Sequence, residues 1–179
     1  VLTKRGAGSS SEVELAGFPH HSIENYLPKL VKAGNRVAVC DQLEDPKLTK
    51  KIVKRGVTEI VTPGIAINDG VLDQKKNNYL ASIHTEKNEF GISFLDVSTG
   101  DFYVSQGDLK LIDQLISIFS PIEILVSTPS KNKFFELLGN SYNVYPLDDW
   151  VYDNSYSENK LLNHFNTKSL KGFGVEDIK

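Results

Sequence analysis

From Ile65 to Asn78 the chain carries Asn68-Asp69-Gly70 and no sustained hydrophobic period, so neither a helix nor a strand is expected to run through it. Apolar periodicity resumes on both sides. A chain interrupted in this way has to bury its hydrophobic residues in two places. The expected organisation is a first domain over residues 1–64, a linker over 65–78 and a second domain over 79–179.

Before the linker, Gly8-Ser9-Ser10-Ser11 reads as a loop. Ile23, Tyr26, Leu27, Leu30 and Val31 then recur at helical spacing, with Ser22 placed to cap the start and Gly34 to end the helix. Pro28 lacks an N–H, which predicts a kink or a late start. The β-branched run from Arg36 to Cys40 predicts a strand, with Cys40 as a small buried hydrophobe. Asp45-Pro46 suits the opening of a short basic helix through Lys47, Lys50, Lys51 and Lys54. A strand over Val57 to Val61 is stopped by Thr62-Pro63-Gly64.

After the linker, Tyr79 to Thr85, Glu89 to Val97 and Asp101 to Val104 read as three antiparallel strands, turned by Lys87-Asn88 and Ser98-Thr99-Gly100. A helix from Leu109 to Phe119 follows, then an apolar strand over Ile122 to Val126. A helix over Lys131 to Leu138, an extended stretch over Tyr142 to Tyr145 and a last helix over about Ser157 to Thr167 complete the pattern. A meander followed by alternating helix and strand predicts an α/β domain with a mixed sheet.

Charge separates the two parts. Residues 1–64 hold ten basic and seven acidic side chains, whereas 65–179 hold ten basic and sixteen acidic ones. The basic part suits phosphates and the acidic part avoids them. A single cysteine excludes an internal disulfide framework and a zinc site of paired thiolates. The chain has no apolar run of membrane-spanning length and no signal-peptide pattern at Val1, so a cytoplasmic location without membrane association is expected. The lack of an initiating Met predicts that Val1 lies inside a longer protein.

Several segments occur together in order: LTKRG from Leu2, ELAGFPHHSIENYLPKLVKAGNRVAVCDQLEDP from Glu14, RGVTEIVTPG from Arg55, NNYLAS from Asn77, FGISFLDVSTGDF from Phe90 and GFGVED from Gly172. In this arrangement they resemble the bacterial MutS family of DNA mismatch-repair proteins. The resemblance implies an α/β chain with an incomplete mixed α/β mismatch-binding domain. An RNase H-like connector domain would follow, with a mixed sheet flanked by helices, truncated at its C-terminus. It also implies mismatched double-stranded DNA and MutL as partners, a homodimer in the full-length parent, association with the nucleoid, and ATP with Mg²⁺ bound by a domain elsewhere in that parent.

Residue by residue, the resemblance places Lys4, Arg5 and Gly6 beside DNA, and Leu15 in a loop approaching the minor groove. It places Asn159 and Lys160 on the face that meets MutL, with Leu161, Leu162 and Phe165 packed inward. Glu59 departs from the basic residue that bacterial relatives often carry there. The family's Phe-x-Glu mismatch reader lies upstream of LTKRG and therefore before Val1. Phe134-Phe135-Glu136 has the same letters, but helical spacing puts Phe134, Leu137 and Leu138 on one core face. No G-x-x-x-x-G-K-[ST] loop is present, so no cofactor is expected within these residues.

Adjacent His20 and His21 cannot easily share one metal, and a hydrogen-bonded structural role is expected for them. No metal site and no catalytic residue is expected. The alternative from a different class is an RNase H-like metal-dependent nuclease using Asp96 and Asp101 on the early strands.

Overall fold

The computed structural model describes residues 2–5, 13–49, 51–66, 76–87 and 89–175, with the backbone alone for 2–5 and 13–15. The expected loop at 8–11 and the middle of the linker lie outside these residues. Contacts divide the chain into two units, residues 1–61 and 62–179.

In the first unit, β1 (Leu2–Arg5) pairs antiparallel with β2 (Val13–Ala16), and β3 (Val37–Gln42) with β4 (Arg55–Val61), as two separate ribbons. Between them, α1 spans Ile23–Lys32. It starts five residues ahead of Pro28 rather than late, and the Ser22 side chain makes no capping bond. Gly34, at φ +84°, supplies the left-handed residue just beyond the helix end.

Among the described residues the basic helix expected after Asp45 is absent: residues 43–49 and 51–54 hold only turns and bends. Asp45 starts a single turn, its side chain accepting Lys47 N–H at 2.9 Å and its carbonyl Leu48 N–H at 3.1 Å, and Lys51 N–H then donates to Thr49 Oγ1 at 3.3 Å instead of to a carbonyl four residues back. Short polar side chains compete with the helical ladder in this way, and β-branched Thr49, Ile52 and Val53 favour it weakly. Cys40 is exposed, not buried. Along β3 the side chains alternate, and Cys40 shares its face with exposed Ala38 and Gln42. A two-stranded ribbon has few neighbours to cover that face.

In the second unit, β5 (Leu80–Glu86) is the central strand of a sheet ordered β7-β6-β5-β8-β9. β6 (Glu89–Asp96) and β7 (Asp101–Gly107) run antiparallel, whereas β8 (Glu123–Ser127) and β9 (Val144–Leu147) are parallel to β5. A parallel neighbour needs a crossover. α2 (Leu109–Phe119) stands between β7 and β8, and α3 (Lys131–Leu138) between β8 and β9. Both helices have the predicted bounds.

Alternation along β5 separates two faces. Ala81 and Ile83 join Ile92, Phe94, Ile112, Ile124, Val126 and Phe134 in the core under α2 and α3. Phe94 stacks on Phe119 with ring centres 4.3 Å apart. Leu137, expected in that core, is 40% exposed, because Phe134 and Leu138 already fill the space beneath α3.

Ser82 and His84 face the other way, where Tyr152 hydrogen-bonds the first at 3.3 Å and stacks on the second. Tyr152 ends a 3-10 turn over Asp149–Tyr152 that leads into α4 (Asn154–His164). The unit is therefore a mixed sheet flanked by helices, the layout expected of an RNase H-like connector.

Candidate DNA-facing and partner-facing surfaces

The β1–β2 hairpin gathers the residues expected to meet DNA. In its register Lys4 lies opposite Glu14, Arg5 opposite Val13, and Leu15 opposite Thr3. Leu15 is thus a strand residue, not a loop residue, because its backbone is held by the β1 ladder. Gly6 lies outside the described residues. Beyond this hairpin, His20 and His21 are exposed in a short 3-10 turn, with no buried environment to hold them.

Asp153 sets the start of α4, accepting a 2.9 Å bond from Tyr156 N–H. Asn159 and Lys160 are both exposed on this helix. The Asn159 amide donates back to Ser155 O at 2.7 Å, and Lys160 Nζ lies 5.4 Å from the centre of the Tyr156 ring. Against that ring stands Trp150, edge-on at 4.9 Å and 58% exposed. Sequence reading missed Trp150; the signal was that it is the chain's single Trp, next to a helix cap.

Leu161 and Leu162 are half-buried, but Phe165 is 39% exposed, against expectation. It lines a groove of about 620 Å³ with Phe102, Val104, Leu161, Leu170 and Phe173.

Among the described residues two acidic side chains are buried, Asp96 and Glu123. Asp96, fully buried, accepts bonds from Asn78 N–H at 2.9 Å, Ser98 N–H at 2.9 Å and the Ser98 hydroxyl at 2.6 Å. Burial drives its carboxyl upward, but the Ser98 hydroxyl and the N–H groups of Asn78, Ser98 and Thr99 outweigh that and hold it below the usual carboxylate range.

Glu123, at the head of β8, accepts the Thr62 hydroxyl at 2.6 Å and Gly64 N–H at 3.1 Å. The Asn78 amide closes the arrangement by donating to Pro63 O at 2.9 Å. Nearby, burial pushes the Tyr79 hydroxyl above its ordinary value, with Tyr103, Asp101 and Asp96 adding to it.

Sequence reading also missed Glu123, although a charge inside an otherwise apolar strand signals a buried partner. This geometry gives the nuclease alternative no support. The Asp96 oxygens are occupied by the donors of Asn78 and Ser98. Asp101, opposite it across the β6–β7 ladder, accepts the Asn77 amide at 3.2 Å. Among the described residues, no group of three or more His, Cys, Asp or Glu side chains is placed to hold a metal. No helix among them is long and apolar enough to cross a membrane.

Ribbons carrying basic residues in one unit, and a mixed sheet flanked by helices with exposed polar and aromatic side chains in the other, define a two-unit α/β module that presents surfaces. The family model for MutS domain I matches residues 1–70, and that for MutS domain II matches 78–179. A protein of Flavobacterium psychrophilum named DNA mismatch repair protein MutS is 61% identical over 178 residues, which make up 99% of this chain and 21% of that protein. One of the same name from Parabacteroides distasonis is 56% identical over 179 residues, 100% of this chain and 21% of its own length. A third, from Cytophaga hutchinsonii, is 58% identical over 178 residues, again 21% of its length.

The chain belongs to the MutS family. It spans about a fifth of the length of these relatives.

Proposed function

We propose that this chain is the portion of a DNA mismatch-repair protein that contacts duplex DNA through its first unit and couples it to MutL through its second. The observation that carries this reading is the match to domains I and II in family order, with relatives named for mismatch repair aligned along the whole chain. Domain boundaries near residues 64 and 78 accompany it. Lys4, Arg5 and Gly6 meet phosphates, and Leu15 contributes an apolar contact at the groove. The mismatch reader and the ATP and Mg²⁺ site belong to other parts of the longer protein, which works as a homodimer in the cytoplasm at the nucleoid. These 179 residues catalyse nothing.

On α4, Asn159 and Lys160 supply the MutL contact. Exposed Trp150 and half-buried Tyr156 beside Lys160 favour it, since aromatic anchors with a neighbouring cation commonly dominate interface energy. In the whole protein, Lys160→Glu is expected to weaken MutL capture about tenfold, with DNA affinity unchanged. Equal capture by the variant and the parent would remove α4 from the interface. The 179-residue chain alone should bind homoduplex and mismatched duplex with the same weak affinity, and a strong mismatch preference would overturn the proposal.

A further inference from the structure

The loop joining β3 to β4 lies between Gln42 and Arg55. Its base is closed: Leu43 N–H donates to Lys54 O at 2.9 Å, and Lys54 N–H donates to Glu44 Oε1 at 2.6 Å. Leu43 lies over Gly56, so closely that a methyl group on Gly56 would come within 2.9 Å of Leu43 Cδ1. Inside this frame Leu48 N–H donates to Asp45 O at 3.1 Å, and the Asp45 and Thr49 side chains fix two further turns.

The frame holds Leu48 and Ile52 outward, 87% and 88% exposed. Single exposed hydrophobes are ordinary, but two so fully exposed within one ordered loop call for a contact surface. Around them stand Lys47, Lys51 and Lys54, whose ammonium groups have no ion-pair or hydrogen-bond partner among the described residues. Residues 43–55 hold five basic and two acidic side chains. The acidic pair, Glu44 and Asp45, is engaged with backbone N–H groups.

We propose that the described residues between β3 and β4, 43–49 and 51–54, form a second, sequence-independent DNA-binding element. Lys47, Lys51 and Lys54 contact phosphates, while Leu48 and Ile52 rest against the wall of the minor groove. The inference rests on the reading that this chain meets duplex DNA, and it names a site for that contact separate from the β1–β2 hairpin. Charge decides the partner. Ammonium groups that contact phosphates gain from counterion release, and apolar side chains between such cations commonly press into a minor groove.

The test is fluorescence anisotropy of the 179-residue chain on a short labelled homoduplex, titrated between about 50 and 200 mM salt. The triple variant Lys47→Ala/Lys51→Ala/Lys54→Ala is expected to bind about tenfold more weakly at low salt. Its plot of log affinity against log salt should be flatter by about 2 to 3. Leu48→Ser/Ile52→Ser is expected to lose about three- to tenfold in affinity with the slope unchanged. Because these side chains are exposed, circular dichroism should match the parent for both variants.

If the parent chain binds and both variants bind equally well, the loop is not a DNA element, and the hairpin contact stands. If the parent fails to bind at low salt, the DNA reading of this chain fails with it. Binding of vesicles rich in anionic phospholipid that depends on these five residues, without a matching loss on DNA, would also overturn the proposal.

Discussion

The two units divide hydrophobic burial unequally. The second places Ala81, Phe94, Ile112, Ile116, Ile124 and Val126 at 2% exposure or less beneath two helices. In the first, Val31 and Val61 are buried, while Leu43, Leu48, Ile52, Val57 and Ile60 are each more than half exposed. Two-stranded ribbons are marginal by themselves, whereas a five-stranded sheet packed on helices supports its own stability. The second unit is a scaffold with a core of its own; the first presents its side chains outward, where a nucleic acid can reach them.

The sharpest way to break this comparison is to cut into both units. Phe94→Ala should destabilise the chain by about 3–5 kcal/mol, because the ring stacks on Phe119 and its loss leaves a cavity. Ile60→Ala, on an exposed face of β4, should cost less than about 0.5 kcal/mol. Urea unfolding followed by circular dichroism separates the two, and equal losses would erase the distinction between the units.

Asp96→Asn comes next, at about 1–3 kcal/mol, since the amide cannot accept all the donors the carboxylate satisfies. This loss has a pH signature. A carboxyl held below its ordinary value of 3.8 leaves the unfolded chain binding more protons across that interval, so stability rises with pH through it. The contribution is complete above about pH 5 and is lost as pH falls through the lowered value. Denaturant midpoints between about pH 2 and 6 should therefore fall less steeply on the acid side for Asp96→Asn than for the parent.

Gly64→Ala should cost about 1–2 kcal/mol, because its new methyl would stand 2.8 Å from Leu80 Cδ1 and 3.2 Å from Glu123 Cβ. A melting temperature equal to the parent's would show that Leu80 can move aside. The smallest effect belongs to the first unit. Cys40→Ser should change stability by less than about 0.5 kcal/mol, and the parent thiol should react with Ellman's reagent in the folded chain. A thiol protected until unfolding would put β3 under cover and narrow the difference between the units.

Local pattern determined much of this protein. Helical spacing bounded α2 and α3, and alternation and turn residues located β5, β6 and β7. These features follow from neighbours a few residues apart, which a sequence displays directly. The ordered segments from LTKRG to GFGVED likewise carried the family.

Tertiary structure decided what depends on distant partners. Cys40 and Leu137 have apolar surroundings in sequence and open ones in space, because burial depends on what the rest of the chain lays over a face. The lysine-rich segment after Asp45 has a cap and a first-turn proline, yet its turn ends at Leu48, and Lys51 N–H bonds to the Thr49 side chain. Only folding brings Asn78 and Ser98 to Asp96, and Thr62 and Gly64 to Glu123. A carboxylate's role depends on the donors around it, and those donors come from up to 61 residues away.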